Sequence, residues 1–242
     1  MKKRLFFTLL VICTLSGLLI TACHQGNKNN EPAHTEDLLP QMEGTFYEFF
    51  SDQGANAAKW NTLWLAEAEK FTGKEKAADA VTTMKNKCEG TVIGAEAIAK
   101  FGEYGNDNMD FSKPYQFDCH FKQGVYQFVF KGHTISATDK KGNLLFLHTY
   151  YLLEKDHHTG VEIYKSKDGN QDEFTYFLLY PDTPSTTHHI EFRYGFDKNA
   201  LKLLRKGKYA YWMAAGIRAN NDADCKAAIK LFVKENLAGK EK

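Results

Sequence analysis

DEFTYFLLYPDTPSTTHHIEFRYG, residues 172–195, is the stretch whose reading decides the fold. Two runs of aromatic, aliphatic and β-branched residues, Phe174–Tyr180 and His188–Tyr194, flank a turn carrying Pro181, Asp182, Pro184 and Ser185. Such side chains favour extended backbone and the Pro/Asp/Ser cluster ends it, so a hairpin with a long loop is expected. Side chains alternate along a strand, which puts His189, Glu191 and Arg193 on one face and His188, Ile190, Phe192 and Tyr194 on the other. The second face is mostly apolar. Two readings of the first stay open: the solvated side of an edge strand, or a chelating pair in which His189 and Glu191 are metal ligands.

Outward from this hairpin, the chain before it has the same texture. Tyr115–Phe121, Val125–Phe130, His133–Thr138, Leu144–Leu153 and Val161–Lys165 are short aromatic-rich strand candidates, separated by turn pairs such as Lys131-Gly132 and Gly142-Asn143. About seven closely spaced strands predict an antiparallel sandwich or barrel, and the barrel is preferred because closure leaves no exposed edge. His148 falls inside one strand and is either a core or rim histidine or a ligand. His157-His158, beside Asp156, belongs to a solvated turn.

Helical patterns stand at both ends of this β-rich stretch. Trp60, Leu63, Trp64 and Phe71 fall on one face of a helix over about Asn56–Phe71, and a weaker pattern covers Lys76–Lys87. The Gly-rich stretch from Gly90 to Gly105 reads as irregular and has no phosphate-loop spacing. Asp197 caps a short helix over Lys198–Arg205. Asn221 or Asp222 caps a last one, in which Cys225, Ala228, Ile229, Phe232 and Val233 form the stripe of a docked amphipathic helix. Tyr209–Met213 is aromatic enough to plug a barrel opening.

At the N-terminus, Lys2, Lys3 and Arg4 precede an apolar run, Leu5–Ile20, too short to span a membrane and followed by small residues. The ending Leu19-Ile20-Thr21-Ala22-Cys23 resembles the bacterial lipobox. Residues 1–22 are thus expected to be a lipoprotein signal peptide, with Cys23 as the lipidated first residue; several acyl chains make a durable anchor, since each buried CH₂ contributes about 0.8 kcal/mol. Residues 23–40 are polar and read as a flexible tether, and 41–242 as one domain. The whole chain carries 31 basic and 30 acidic side chains. Loss of residues 1–22 takes away three basic ones and leaves a formal −2, with no basic run. Neither nucleic acid nor an anionic membrane surface is indicated as a partner; contact with the membrane is expected through the lipid alone. Cys88, Cys119 and Cys225 remain, allowing one disulfide or none.

Taken together, these segments resemble the ZinT (YodA) family, the lipocalin-like zinc-binding proteins of the bacterial cell envelope, whose domain also forms the C-terminal part of some zinc-uptake lipoproteins. Trp60-Asn61-Thr62-Leu63-Trp64 is similar to the family's Trp-x-x-Val-Trp helix, Lys131–Ile135 through Leu147 to its turn-and-strand segment, and Tyr209–Met213 followed by Asn221–Leu237 to its closing segment. The resemblance covers roughly Trp60 to Leu237. It implies a mainly β, lipocalin-like (calycin) antiparallel barrel of about eight strands with flanking helices. It also implies a lipid-anchored protein facing the periplasm or cell exterior that captures zinc or a similar divalent ion and passes it to an uptake system, with the substrate-binding protein of a zinc ABC transporter as partner. The family's metal motif is a strand histidine shortly before a proline, then His-x-His ending at a glycine. Counted back from Pro181, the first falls on Phe177, which coordinates nothing; counted back from Gly195, the others fall on His189 and Glu191. The resemblance places this face in the barrel mouth, with His148 or His188, or the turn, completing the shell, because zinc takes three or four N, O or S ligands. The other open class is a lipocalin-like binder of a small ligand or a protein partner with a degenerate metal site. An enzyme is not expected: no Ser/His/Asp set, paired-carboxylate spacing or nucleotide loop stands out.

Overall fold

The computed structural model describes residues 37–103, 116–169 and 171–238. Eight strands close into one antiparallel barrel in chain order: β1 (Gly44–Glu48), β2 (Gln127–Lys131), β3 (Thr134–Thr138), β4 (Leu144–Lys155), β5 (Glu162–Ser166), β6 (Tyr176–Leu179), β7 (His189–Gly195) and β8 (Ala214–Arg218). The closing seam pairs β8 with β1 through Phe46↔Arg218 and Glu48↔Gly216. Six of these strands stand close to their expected places. Residues 116–121 do not form a strand; Asp118 makes only isolated bridges to Glu89 and Trp212, and Tyr115 lies outside the described residues. The two strands missing from the sequence reading, β1 and β8, are the ones that close the barrel. β8 reads Ala-Ala-Gly-Ile-Arg, almost without β-formers, because bulk has no room there. A Cβ on Gly216 would stand 3.0 Å from Ile190 Cγ1 and 3.3 Å from Phe46 Cβ.

The barrel is filled with rings. Phe128, Phe177, Phe192 and Tyr194 are all essentially inaccessible. Phe128 meets Phe192 edge-on at 5.1 Å, and Phe177 stacks on Tyr194 at 5.4 Å. Such pairs add about 0.5–1.5 kcal/mol each beyond the area they bury. Leu39 and Met42 join this cluster beside β2 and β5, and Phe121 and Trp212 join it from the segments before β2 and β8. The interior is therefore a packed core rather than a cup.

Outside the wall lies a second core. α2 (Asn61–Thr72), α3 (Lys74–Cys88) and α6 (Asp222–Leu237) pack Trp64, Val81, Met84, Ile229 and Val233 against Phe49, Ala215 and Ile217. The expected stripe on α6 is realised: Cys225, Ala228, Ile229 and Val233 are buried, and the Asn221 side chain caps the helix by accepting from the Asp224 N–H. Asp197 caps α5 (Lys198–Leu201) through the N–H groups of Asn199 and Ala200. The stretch read as irregular contains a further helix, α4 (Gly94–Phe101).

One boundary differs from the sequence reading. Residues 37–40, assigned to the tether, are docked on the barrel as part of α1 (Leu38–Gln41), with Leu39 fully buried. The Leu38 N–H donates to Glu162 Oε2 at 2.7 Å, and the Leu39 N–H to Tyr164 Oη at 3.2 Å. Glu162 is itself buried, with Lys155 Nζ 2.5 Å from its other oxygen. A charged, hydrogen-bonded anchor holds this turn. Residues 23–36 before it are polar, and the apolar pair Leu38-Leu39 alone is too short a signal to mark a docked turn.

Candidate metal centre

β7 shows the expected alternation. Ile190, Phe192 and Tyr194 belong to the barrel cluster, so His189, Glu191 and Arg193 project outward, beneath the helical layer. The resemblance implied the opposite, a metal face looking into the barrel mouth. The physical reason is burial: register is fixed by whichever face carries the apolar bulk, and here that is Ile-x-Phe-x-Tyr.

The His189 ring lies edge-on to Phe49, centroids 5.5 Å apart. Its Nδ1 sits 2.9 Å from the Thr187 carbonyl oxygen, a contact it can make only as the donor. That fixes the ring and turns Nε2 toward Glu191, whose Oε1 is 3.5 Å away. A backbone carbonyl that holds one imidazole nitrogen leaves the other to face a ligand, which is how a ligating histidine is commonly oriented. The spacing also fits. Two bonds of about 2.0–2.2 Å at the tetrahedral angle hold their ligand atoms about 3.3–3.6 Å apart. Both side chains are mostly sheltered, at 16% and 22% exposure.

The electrostatics mark the same place. Burial works against a charge on His189, but the hydrogen bond and charge of Glu191, with Asp182 and the Thr187 carbonyl, outweigh it and raise the imidazole to about 9. Asp182, in the turn between β6 and β7, is pushed up to about 7 by burial and by the Glu191 charge. Burial likewise raises Glu235 on α6, where His189 pulls down and Glu191 pushes up. The charges of Glu191, Asp182 and Glu235 thus act together around His189, and the cation they favour in the metal-free chain is the imidazolium itself, whose proton a metal ion would displace.

The structure brings His189 and Glu191 together and leaves the two other candidate histidines elsewhere. His188 has a left-handed backbone (φ 62°) and turns its Nδ1 toward Asp224 on α6, 3.6 Å away. His148 is buried on β4 with its ring against Phe146 and Tyr150, both of the barrel cluster. It stands on the inner side of the wall, and His189 on the outer side. Phe177, at the position the resemblance gives to a histidine, lies in the aromatic core against Phe192, Tyr150 and Tyr194, and the two tyrosine hydroxyls donate to the carbonyls of Phe174 and Lys122. On the inner side the Asp172 carboxylate stands 4.0 Å from His148 Nε2, and on the outer face His189 and Glu191 form the closer pair. Among the described residues no group of three His, Cys, Asp or Glu side chains is gathered to hold an ion. Cys23 lies outside the described residues.

Sequence reasoning missed three functional or structural residues here. Asp182 stood in the quoted turn and carried the signal. Glu235 on α6 did not, since its nearness to β7 depends on helix docking. Arg193, on the face for which a solvated reading and a chelating one both stood open, is fully buried and donates through Nε, Nη1 and Nη2 to the carbonyls of Trp212, Leu201 and Tyr209.

No family model and no curated protein matches the chain. Among solved structures it is similar to Zn(II)-bound AdcA from Streptococcus pneumoniae, at 12% identity and TM-score 0.46, over 80% of this chain and 35% of that one. It thus spans about a third of that protein. It is also similar to the Zn(II)-bound ZinT-like domain of Streptococcus pneumoniae AdcA, at 13% identity and TM-score 0.48, over 83% of this chain and 94% of that domain.

Proposed function

We propose that the chain is a lipid-anchored binding protein of the cell envelope that captures a divalent cation, zinc, as cargo and delivers it to an uptake system. The observation that carries this reading is the His189–Glu191 pair: Nε2 and Oε1 are 3.5 Å apart, with the imidazole held from behind by the Thr187 carbonyl. His189 Nε2 and a Glu191 oxygen are two ligands. A third ligand has to move in, and Asp182 in the neighbouring turn, whose charge acts on His189, is the group we assign to it; the charge of Glu235 acts on the same place. Burial, with the Glu191 charge added, holds Asp182 and Glu235 above the ordinary carboxyl range, and a bound cation would favour their ionised forms. The site lies on the outer wall, partly sheltered beneath the helical layer, and the partner that receives the ion is an importer component such as the substrate-binding protein of a zinc ABC transporter. The packed barrel interior disfavours the other class, a ligand held inside the barrel in lipocalin manner.

Zinc titration of the chain against a competing chelator tests the binding: one equivalent is expected to bind, weakened by His189→Ala as argued below. The anchor has its own test. Cys23→Ser is expected to move the chain from the membrane fraction to the soluble fraction, and an unchanged distribution would sink the lipoprotein assignment.

A further inference from the structure

We propose that Cys88 and Cys119 are a disulfide-forming pair, leaving Cys225 as the unpaired thiol. Both are free thiols in this structure, and the backbone sets them face to face. α3 ends at Cys88, and the next residue, Glu89, makes an antiparallel bridge with Asp118. Cys88 and Cys119 are thereby opposed across the bridge, and the Cys119 N–H donates to the Cys88 carbonyl at 3.0 Å. Opposed antiparallel residues have Cα atoms about 4.5–5.5 Å apart, inside the roughly 4.4–6.8 Å window that a disulfide needs. The Cys88 thiol is also the first of the groups that raise the Cys119 thiol above its ordinary range. Cys225 sits elsewhere, on the buried stripe of α6, where Lys59 and Asp222 are the charges its thiol feels.

The bond would tie the end of α3 to residues 116–121. That segment seats Phe121 in the barrel core, and through Asp118 it bonds the backbone at Tyr211 and Met213. It therefore joins the helical layer to the barrel. The chemistry is thiol–disulfide exchange with a disulfide oxidant such as oxidised glutathione. One cysteine thiolate attacks the oxidant, forming a mixed disulfide and releasing one glutathione. The second thiolate displaces the other glutathione and closes Cys88–Cys119, and the two protons lost end on the two glutathione thiols. Both cysteines are buried, and the contact with Cys88, together with burial, holds the Cys119 thiol well above its ordinary range. Exchange is consequently slow in the folded chain, and the bond closes while the chain folds.

The test is refolding of the full chain, reduced and denatured, in a buffer of reduced and oxidised glutathione. Free thiols are then alkylated, and the chain is digested without reductant and mapped by mass spectrometry. The expected result is a linked peptide pair joining Cys88 to Cys119, two hydrogens lighter than the separate peptides, with Cys225 alkylated. The oxidised chain should melt above the reduced one by about 5–10 °C, and Cys88→Ala should abolish that gap. Alkylation of both Cys88 and Cys119, or a bond from either to Cys225, would overturn the assignment. The oxidant is supplied in the buffer, so the outcome does not depend on the compartment or on zinc.

Discussion

Arg193→Met is expected to destabilise the domain by about 3–5 kcal/mol, the largest effect of any single substitution on the outer face of β7. The guanidinium is wholly buried, and burial holds it below its ordinary pKa. Among the described residues it makes no ion pair. Instead it spends its donors on the carbonyls of Leu201, Tyr209 and Trp212. Those carbonyls stand at the end of α5 and in the irregular segment that leads from it into β8 and places Tyr209 and Trp212 in the barrel core. Methionine keeps much of the volume but leaves three buried acceptors without donors, each costing about 1–3 kcal/mol, offset in part by the apolar gain. Arg193→Lys should recover only part of the loss, since one ammonium cannot match the planar fork. Urea unfolding measures both. A loss below about 1 kcal/mol for the methionine variant would mean that the segment finds other donors and that the clamp is dispensable.

The second large effect is on the cargo. His189→Ala is expected to weaken zinc binding by about 100-fold or more, about 2.8 kcal/mol, because it removes a whole ligand and the nitrogen that Thr187 orients. His157→Ala removes an exposed histidine from the turn between β4 and β5 and should change nothing. Glu191→Gln should fall between the two: it keeps the shape and one oxygen donor but loses the charge that zinc prefers. Chelator competition at fixed pH and salt reads all three, with a melting curve of each metal-free variant as a check on folding. Equal, negligible effects from His189→Ala and His157→Ala would show that metal binding is not made at this pair.

Much of the barrel was legible because its strands advertise themselves. β2 to β7 are aromatic, alternating and bounded by glycine turns, and each of those signals is local. β1 and β8 were not legible, for they owe their extended form to each other. Gly216 is small because Ile190 and Phe46 stand over it, a fact of packing rather than propensity. The candidate site divides in the same way. His189 and Glu191 are two apart on one strand, so their pairing could be read directly. Whether their face turned inward could not be read from the resemblance, and the bulk of Ile190, Phe192 and Tyr194 decided it. Arg193 had the pattern of a solvated residue and became a buried clamp, because residues 201–212 fold back over it.

The measurement that bears most directly on the metal centre is ¹⁵N NMR of the histidine side chains during zinc addition to the metal-free chain. At one equivalent, the His189 Nε2 resonance is expected to move to the position of a metal-bound imidazole nitrogen, while Nδ1 keeps the signature of a protonated nitrogen bonded to a carbonyl. His148, His157 and His158 should stay where they were. If zinc instead shifts His148 or the turn histidines and leaves His189 unmoved, the cation is not held at the outer face of β7 and the proposed site is wrong.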